Sequence, residues 1–392
     1  MSKANEADYI LFLLACTLIT FSILFSYSLS VYTVVYYDYN QFHFFMRQCF
    51  VGILGMFIMW VFSQIPPAKI VGKVGMTLFI LFFLLMAIMP LLPASFVTAA
   101  GGANRWIRLP GLSLSPVEFF KIGFIYFLAW SFHRRVMDQP KKMSLKEEFL
   151  LLLPYFSAFF LVVFLVAFLQ KDLGQVVLLG LVLMVLLVFA NRSFKLFLVL
   201  GLGSLFTLAT LIISTPHRIQ RIYSWWALNQ DRILSILPDI ANSYLRVKEL
   251  PVPYQVGHSL NAINNGGFFG AGIGGGNLKM GYLSEVHSDF VLAGISEELG
   301  LLGIIVITLL IFLVVWRIFR ISNRVENPIY HLFTLGIALM IIIAFLINSY
   351  GITGIIPIKG IAVPFLSYGG SALLATSISI GLVLSISKEV RK

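Results

Sequence analysis

Asp289 stands where a polar, glycine-rich stretch runs into a long apolar one, and a carboxylate at such a boundary has the makings of a general base. Burial raises its pKa while the start of a helix lowers it, and a base tuned between those pulls can take a proton near neutral pH. The same position suits a helix cap, so a structural role stays open on sequence alone. His287 and Glu285 flank it; one histidine and two carboxylates in five residues could touch a cation, but this spacing does not specify a dedicated protein metal site, and none is expected. If the helix begins at Asp289, Glu297 lies about 80° around it and Glu298 about 180° away, so the two adjacent acids cannot serve one site equally.

Cations that could meet a phosphate recur in other polar stretches. Arg47 opens an apolar run, and Gly101-Gly102-Ala103-Asn104-Arg105-Trp106-Ile107-Arg108 sets two arginines around a tryptophan. Arginine suits bidentate phosphate contacts, and tryptophan suits either a sugar face or a membrane interface. Glu118 and Lys121 stand three apart on one helix face and can pair, or Lys121 can turn to a phosphate. Asp172 opens a further run, and Pro216-His217-Arg218-Ile219-Gln220-Arg221 is followed by Trp225 and Trp226. Then come Tyr254, Gln255 and Ser259, and a stretch from Gly266 and Gly267 to Gly276 whose amides could form an anion nest or simply a flexible connector. There is no G-x-S-x-G elbow, H-E-x-x-H or Walker loop, which argues against serine hydrolase, zinc protease and ATP-driven chemistry.

The elements that must position these groups are membrane helices. Of 392 residues 59% are apolar and only 11% charged, outside the range of soluble domains. Apolar runs long enough to cross a core about 30 Å thick recur near 9–30, 48–64, 74–93, 116–133, 149–169, 172–190, 194–214, 289–316, 329–350 and 366–387. The runs are continuous rather than alternating, so an all-α integral membrane protein of about ten spanning helices is expected, with the first run kept as a span. Lys69 and Lys73; Arg134, Arg135, Lys141, Lys142 and Lys146; Arg192 and Lys195; Arg317, Arg320 and Arg324; and Lys388, Arg391 and Lys392 then fall on one side, cytoplasmic by the positive-inside rule, with both termini there. The formal charge of +11 is thereby a topology signal, and no nucleic-acid partner is expected. Residues 1–392 read as one polytopic membrane domain, with 215–288 as a large extracytoplasmic loop. Cys16 and Cys49 read as small buried apolar residues.

Taken in order, these motifs resemble those of the SEDS family of shape, elongation, division and sporulation proteins, from Phe45-Met46-Arg47-Gln48 to Ser371. The carrying residues are Arg105-Trp106-Ile107, Pro116-Val117-Glu118-Phe119-Phe120-Lys121, Gln170-Lys171-Asp172-Leu173-Gly174, Tyr254-Gln255, Gly266-Gly267, Asp289-Phe290, Glu297-Glu298-Leu299-Gly300, Pro357-Ile358-Lys359-Gly360 and Pro364-Phe365-Leu366-Ser367-Tyr368-Gly369-Gly370-Ser371. Ser115, Val117, Lys171 and Gln175 depart from the usual glutamine, serine, proline and threonine. Lys359, where elongation-type members tend to have threonine, sides with the division-type branch.

The resemblance implies a peptidoglycan glycosyltransferase of the bacterial cytoplasmic membrane that polymerises lipid II at the outer face. The family's catalytic aspartate carries over to Asp289, which would deprotonate the acceptor's GlcNAc 4-hydroxyl for inverting attack on the donor MurNAc, expelling undecaprenyl diphosphate. Arg47, Lys121, Arg218 and Arg221 are candidates for holding the diphosphate, with a magnesium or manganese ion as a further candidate and no organic cofactor; Glu118, Asp172 and Lys359 would order that network. Arg105, Trp106, Tyr254, Gln255, Ser259, Gly266, Gly267, His287 and Ser367 complete the substrate-binding set, and Glu297 and Glu298 the structural one. Lipid tails would enter through a lateral groove open to membrane lipid. A class B penicillin-binding protein would crosslink the product, with division regulators gating the pair. A lipid II transporter, an elongation-type polymerase and a non-catalytic scaffold are the competing readings.

Overall fold

A computed structural model describes residues 6–93, 96–100, 103–109, 112–137, 139, 143–190, 194–213, 215–238, 245–247, 254–283, 285–358 and 360–390. Lys359, Gly101, Gly102, Lys141, Lys142, Arg192, Arg391 and Lys392, on which expectations were placed above, lie outside the described residues.

Seven helices among the described residues are long and apolar enough to cross a membrane: Tyr9–Leu29, His43–Gln64, Pro67–Leu91, Leu145–Leu169, Val291–Ser322, Pro328–Ile352 and Gly370–Glu389. The α-helical parts of these are labelled α1 (Tyr9–Leu29), α3 (His43–Gln64), α4 (Pro67–Ile88), α6 (Leu145–Val163), α11 (Val291–Ser322), α12 (Pro328–Ile352) and α13 (Gly370–Ile386), with a six-residue α2 (Val31–Tyr36) after α1. The remaining apolar segments are helical too, as α5 (Pro116–Arg135), α7 (Leu173–Phe189) and α8 (Phe194–Ile213). α5 carries Glu118, Lys121, Arg134 and Arg135, and α7 has only seventeen residues.

Local chemistry sets the starts. Proline opens α4, α5 and α12, where its missing N–H costs nothing. Asp8 caps α1 through Leu11 N at 2.9 Å, Ser144 and Glu147 form a reciprocal capping box on α6, and Asp172 caps α7.

α5 forms the centre, with fourteen of its twenty residues buried and α4, α12 and α13 packed against it. Helices in lipid gain little from the hydrophobic effect against one another, so close approach matters. Gly123 lets α5 lie on the α4 backbone at Leu78 and Phe79, and Gly55 of α3 faces Ser377 of α13.

The all-α expectation needs one correction. Residues 97–114 form a three-stranded antiparallel sheet, β1 (Val97–Ala100), β2 (Ala103–Leu109) and β3 (Leu112–Leu114), in the order β1-β2-β3 with Ile107 opposite both Val97 and Leu114. In the seven-residue β2 run Ile107 is buried and Arg108 exposed, a strand alternation too short to stand out beside the apolar helices. The 215–288 region also holds helices, α9 (Pro216–Leu234) and α10 (Tyr254–Gly266).

A second correction concerns the glycine-rich stretch, which is packed against α11. That helix is broken at Gly300, where φ is +66°. Helix backbone freed inside a membrane bundle needs new partners, and the loop supplies them. Leu301 and Leu302 N–H donate to the Gly267 and Phe268 carbonyls at 3.0 and 3.2 Å, while Ala271 and Gly272 N–H donate to the Glu297 and Glu298 carbonyls, both at 2.9 Å. Gly266 and Gly270 press on the Ser296 and Glu298 carbonyls, positions where a Cβ would not fit. Gly266 and Gly270 therefore serve backbone packing.

Candidate active site

One cavity of about 1330 Å³ gathers most of the singled-out polar groups at a single end of the bundle. Arg47 reaches it from the first turn of α3, Arg105 and Trp106 from β2, Glu118 from the start of α5, Asp172 from the start of α7, Arg218 and Arg221 from α9, Gln255 from α10, and His287 and Asp289 from the segment before α11. Three helix N-termini also open on it, at Ser115 and Glu118, at Leu173 to Gln175, and at Gly369 to Ala372. The dipoles of these helices favour an anion there.

Asp289 lies outside α11, whose N-cap is Phe290 and which has no side-chain cap bond, so the helix-cap role does not apply. Its carboxylate is partly open to the cavity and otherwise walled by protein. Burial, and then the neighbouring Glu285 charge, push its pKa up to about 6, against the pull of Arg105 and Arg221. No cation stands within ion-pair distance of it among the described residues. Gly360, in the left-handed region at φ +59°, passes so close that an added Cβ would sit 2.9 Å from Asp289 Oδ2.

Next to it, Arg105 Nε pairs with Asp172 Oδ2 at 3.2 Å, and Arg105 Nη2 donates to the Lys171 carbonyl at 3.3 Å. Burial raises the Asp172 pKa and the Arg105 guanidinium offsets it. Glu118 and Lys121 do pair, at 2.8 Å. Gln175 joins them, accepting from Lys121 Nζ and donating to Glu118 Oε1, each at 2.9 Å. The glutamine that departs from the family's threonine is thus the bridge between α7 and the α5 pair. Lys121 is buried, spends its charge inside this network and does not line the cavity.

Arg218 donates to the Leu211 and Ala167 carbonyls at 2.7 and 2.6 Å, so much of its guanidinium is committed to helix ends. Arg221 donates to the Ile358 carbonyl at 3.3 Å. Burial lowers the pKa of both, though from so high a value that they stay cationic. Arg47 hydrogen-bonds the Tyr368 phenol. His287 stacks edge-on between Phe44 and Tyr368, with centroid distances of 5.2 and 5.5 Å. Burial lowers its pKa, which favours the neutral imidazole.

Several expected substrate contacts do not line the cavity. Ser259 is fully buried and donates to the Ile352 carbonyl at 2.9 Å; Ser367 is buried and donates to the Ser288 carbonyl at 2.7 Å; Tyr254 packs edge-on against His258, away from the cavity wall. Gly266 and Gly267 belong to the α11 clamp described above. Glu297 accepts from the Asn277 and Leu278 N–H groups at 2.9 and 3.2 Å, and Glu298 pairs with Lys279 at 2.6 Å and accepts from Ser28. Lys279, Gln175, Asn348 and Tyr368 drew no role from sequence reasoning. Lys279 sits among glycines with no periodicity to mark it as buried, and Asn348 is a single amide in an apolar run, the one signal that could have found it.

Among the described residues no three histidine, cysteine or acidic side chains are grouped to hold a metal ion.

The FtsW/RodA/SpoVE family model, described as cell cycle protein, matches residues 8–392. The chain is 48% identical over 385 residues to a probable peptidoglycan glycosyltransferase FtsW of Helicobacter pylori, covering 98% of this chain and 99% of that one. It is 32% identical over 394 residues to the protein of the same name in Geobacter sulfurreducens, covering 100% and 98%. In fold it is similar to the crystal structure of the Thermus thermophilus rod shape determining protein RodA (TM-score 0.64, 20% identity, 98% of each chain). It is similar also to a chain of a peptidoglycan synthase complex solved for its coordination of polymerization and crosslinking (TM-score 0.70, 21% identity, 97% of each chain). With this match running along nearly the whole sequence, and with its helices long and apolar enough to cross a membrane, the chain belongs to the FtsW/RodA/SpoVE family of multi-pass membrane proteins.

Proposed function

We propose that the protein is a division-type peptidoglycan glycosyltransferase that polymerises lipid II, with Asp289 as the general base. The observation that carries this reading is a carboxylate with no ion-pair partner among the described residues, its pKa raised to about 6, in a cavity that four arginines and several helix N-termini also line. A base must accept a proton, and the surrounding positive field suits a diphosphate that gains charge as it leaves. Asp289 takes the proton of the acceptor's sugar hydroxyl. The oxygen then attacks the anomeric carbon of the donor with inversion, and the bond to the diphosphate breaks with its electron pair. Arg47, Arg221 and the helix N-termini hold the leaving group, and Arg105 with Asp172 fixes one wall.

The cavity volume exceeds the roughly 300–1,000 Å³ of ordinary small-molecule pockets, in keeping with lipid-linked sugars. Met46 and Phe50, on its rim and 62% and 68% exposed, offer lipid tails a lateral entry. A divalent cation has no cage of three histidine, cysteine or acidic side chains among the described residues; it would arrive with the diphosphate, and no step above depends on it.

In this reading ten helices span the bacterial cytoplasmic membrane, both termini are cytoplasmic, and 215–288 lies outside with the cavity. The packing supports it: Asp8 pairs with Arg317, Asp8 N–H donates to Ser387, and Ser385 and Lys388 donate to the Ile65 and Gln64 carbonyls, tying both chain ends together at the end away from the cavity. The partner is a class B penicillin-binding transpeptidase, with division regulators acting on the pair.

The test is polymerisation of fluorescent lipid II by the purified protein with its transpeptidase partner. Wild type is expected to form glycan strands, and Asp289→Ala, still folded and partner-bound, to lose about 10²–10⁴-fold in rate. Equal strand formation by both would end the general-base assignment, and lipid II crossing liposomes without polymerisation would replace the enzyme with a transporter.

A further inference from the structure

The short segment that carries Asp289 is pinned one carbonyl at a time. The His287 carbonyl accepts from Tyr368 N–H at 2.8 Å, the Ser288 carbonyl from Ser367 Oγ at 2.7 Å, and the Asp289 carbonyl from Asn348 Nδ2 at 2.8 Å. Two of these donors come from the 363–368 turn, and the third comes from the far end of α12. The same Asn348 nitrogen also donates to the Ile361 carbonyl at 2.8 Å. One side-chain amide therefore ties the backbone of Asp289 to the loop that runs past it through Gly360, whose backbone is in close reach of the Asp289 carboxylate.

The orientation of that amide follows from its neighbours. Two carbonyl oxygens at 2.8 Å require the NH₂ end, since the opposite assignment would set oxygen against oxygen twice. Its other end, Oδ1, is then buried with no hydrogen-bond partner among the described residues, on a residue only 6% exposed. An unpaired buried acceptor is a net cost to the fold, and leucine or methionine would fill this part of an apolar helix without it. A polar group kept at such a position in a membrane helix points to a role beyond packing.

We infer that Asn348 is a positioning residue for the glycosyl transfer, fixing the Asp289 backbone against the Ile361 loop so that the carboxylate is held at one depth and angle in the cavity. The inference rests on Asp289 being the base. It assigns Asn348 no contact with substrate: the amide acts through the two carbonyls it holds. A base displaced by about 1 Å loses on the order of 100-fold in rate while substrate binding survives, because the cations and helix N-termini that hold the diphosphate are elsewhere.

The experiment compares lipid II polymerisation by wild type, Asn348→Ala, Asp289→Ala and the double variant, each full-length and bound to the transpeptidase partner. Ser385→Ala serves as control, since it removes a comparable buried hydrogen bond, 2.6 Å to the Ile65 carbonyl, at the opposite end of the bundle. Asn348→Ala is expected to lower kcat about 100-fold with KM for lipid II unchanged. Its thermal unfolding should shift no further than that of Ser385→Ala, and the double variant should be no slower than Asp289→Ala alone. Wild-type kcat in Asn348→Ala, or a loss that tracks unfolding and is shared by Ser385→Ala, would overturn the positioning role while leaving the base in place. Full activity in Asp289→Ala would instead remove the base, and Asn348 would have nothing to position.

Discussion

Two acids nine residues apart by number live under opposite regimes. Glu298, fully buried in α11, is met by Lys279 at 2.6 Å and by the Ser28 hydroxyl, so a cation and a donor are spent on it. Asp289, at the mouth of the same helix, has its backbone oxygen held by Asn348 while its carboxylate faces a cavity. The same residue chemistry is neutralised at the clamp and, among the described residues, has no ion-pair partner at the cavity. The difference directs the search for function to the held backbone whose carboxylate faces the cavity, rather than to the carboxylate in the tidier pair.

The sharpest way to break the comparison is at the clamp. Removing one partner of a buried pair leaves the other charge stranded, at a cost of about 3–5 kcal/mol. Glu298→Ala is expected to lower the thermal unfolding temperature in detergent more than any cavity substitution does, since Lys279 is itself only 3% exposed. Replacing both, as Glu298→Leu with Lys279→Met, should recover much of that loss. If Glu298→Ala unfolds at the wild-type temperature, the pair is not what holds the glycine-rich stretch to α11.

How far this contrast could be read from sequence depends on the kind of signal each part sends. Helices of twenty or so apolar residues declare themselves, and so does an aspartate at the boundary of one. The β2 strand did not, because seven residues between glycines carry too little alternation to compete with the runs around them. The glycine-rich stretch was legible as backbone freedom but not as to its use: the same glycines that could have wrapped an anion instead admit the Ser296 and Glu298 carbonyls. Ser259 and Ser367 carry hydroxyls in motifs that resemble a family, yet a hydroxyl binding a carbonyl of its own chain reads the same in sequence as one binding a sugar. Asn348 and Gln175 went unassigned because a role that consists of joining two distant segments has no local pattern.

A smaller effect separates the two acids through their protonation. Between the ordinary carboxylate value near 4 and about 6, folded Asp289 keeps a proton that the unfolded chain has released. Stability from this group is therefore present at low pH and lost as pH rises through that window. At neutral pH the ionised carboxylate costs the fold roughly 1–3 kcal/mol, discounted for its partial exposure to the cavity. Asp289→Asn is expected to stabilise the protein at pH 7 by about that amount and to change little at pH 4. A variant that is less stable at pH 7 would mean that the carboxylate is held by partners after all.

The smallest expected effect is on rate, and it carries the most direct reading of the base. Only the ionised form of Asp289 can accept the acceptor's proton, so kcat should be flat above about pH 6 and fall below it, approaching tenfold per pH unit. Glu285 raises that midpoint through its charge, second only to burial among the causes. Glu285→Gln should therefore move the acid limb to lower pH without removing it. His287 lies in the same cavity and could impose a limb of its own, which burial moves to lower pH than that of an ordinary imidazole. Polymerisation rates for wild type, Glu285→Gln and His287→Gln across about pH 4–8, roughly two units either side of the expected midpoint, separate the two. A limb that shifts with Glu285→Gln and persists in His287→Gln belongs to Asp289; a limb abolished by His287→Gln would move the titrating role to the imidazole.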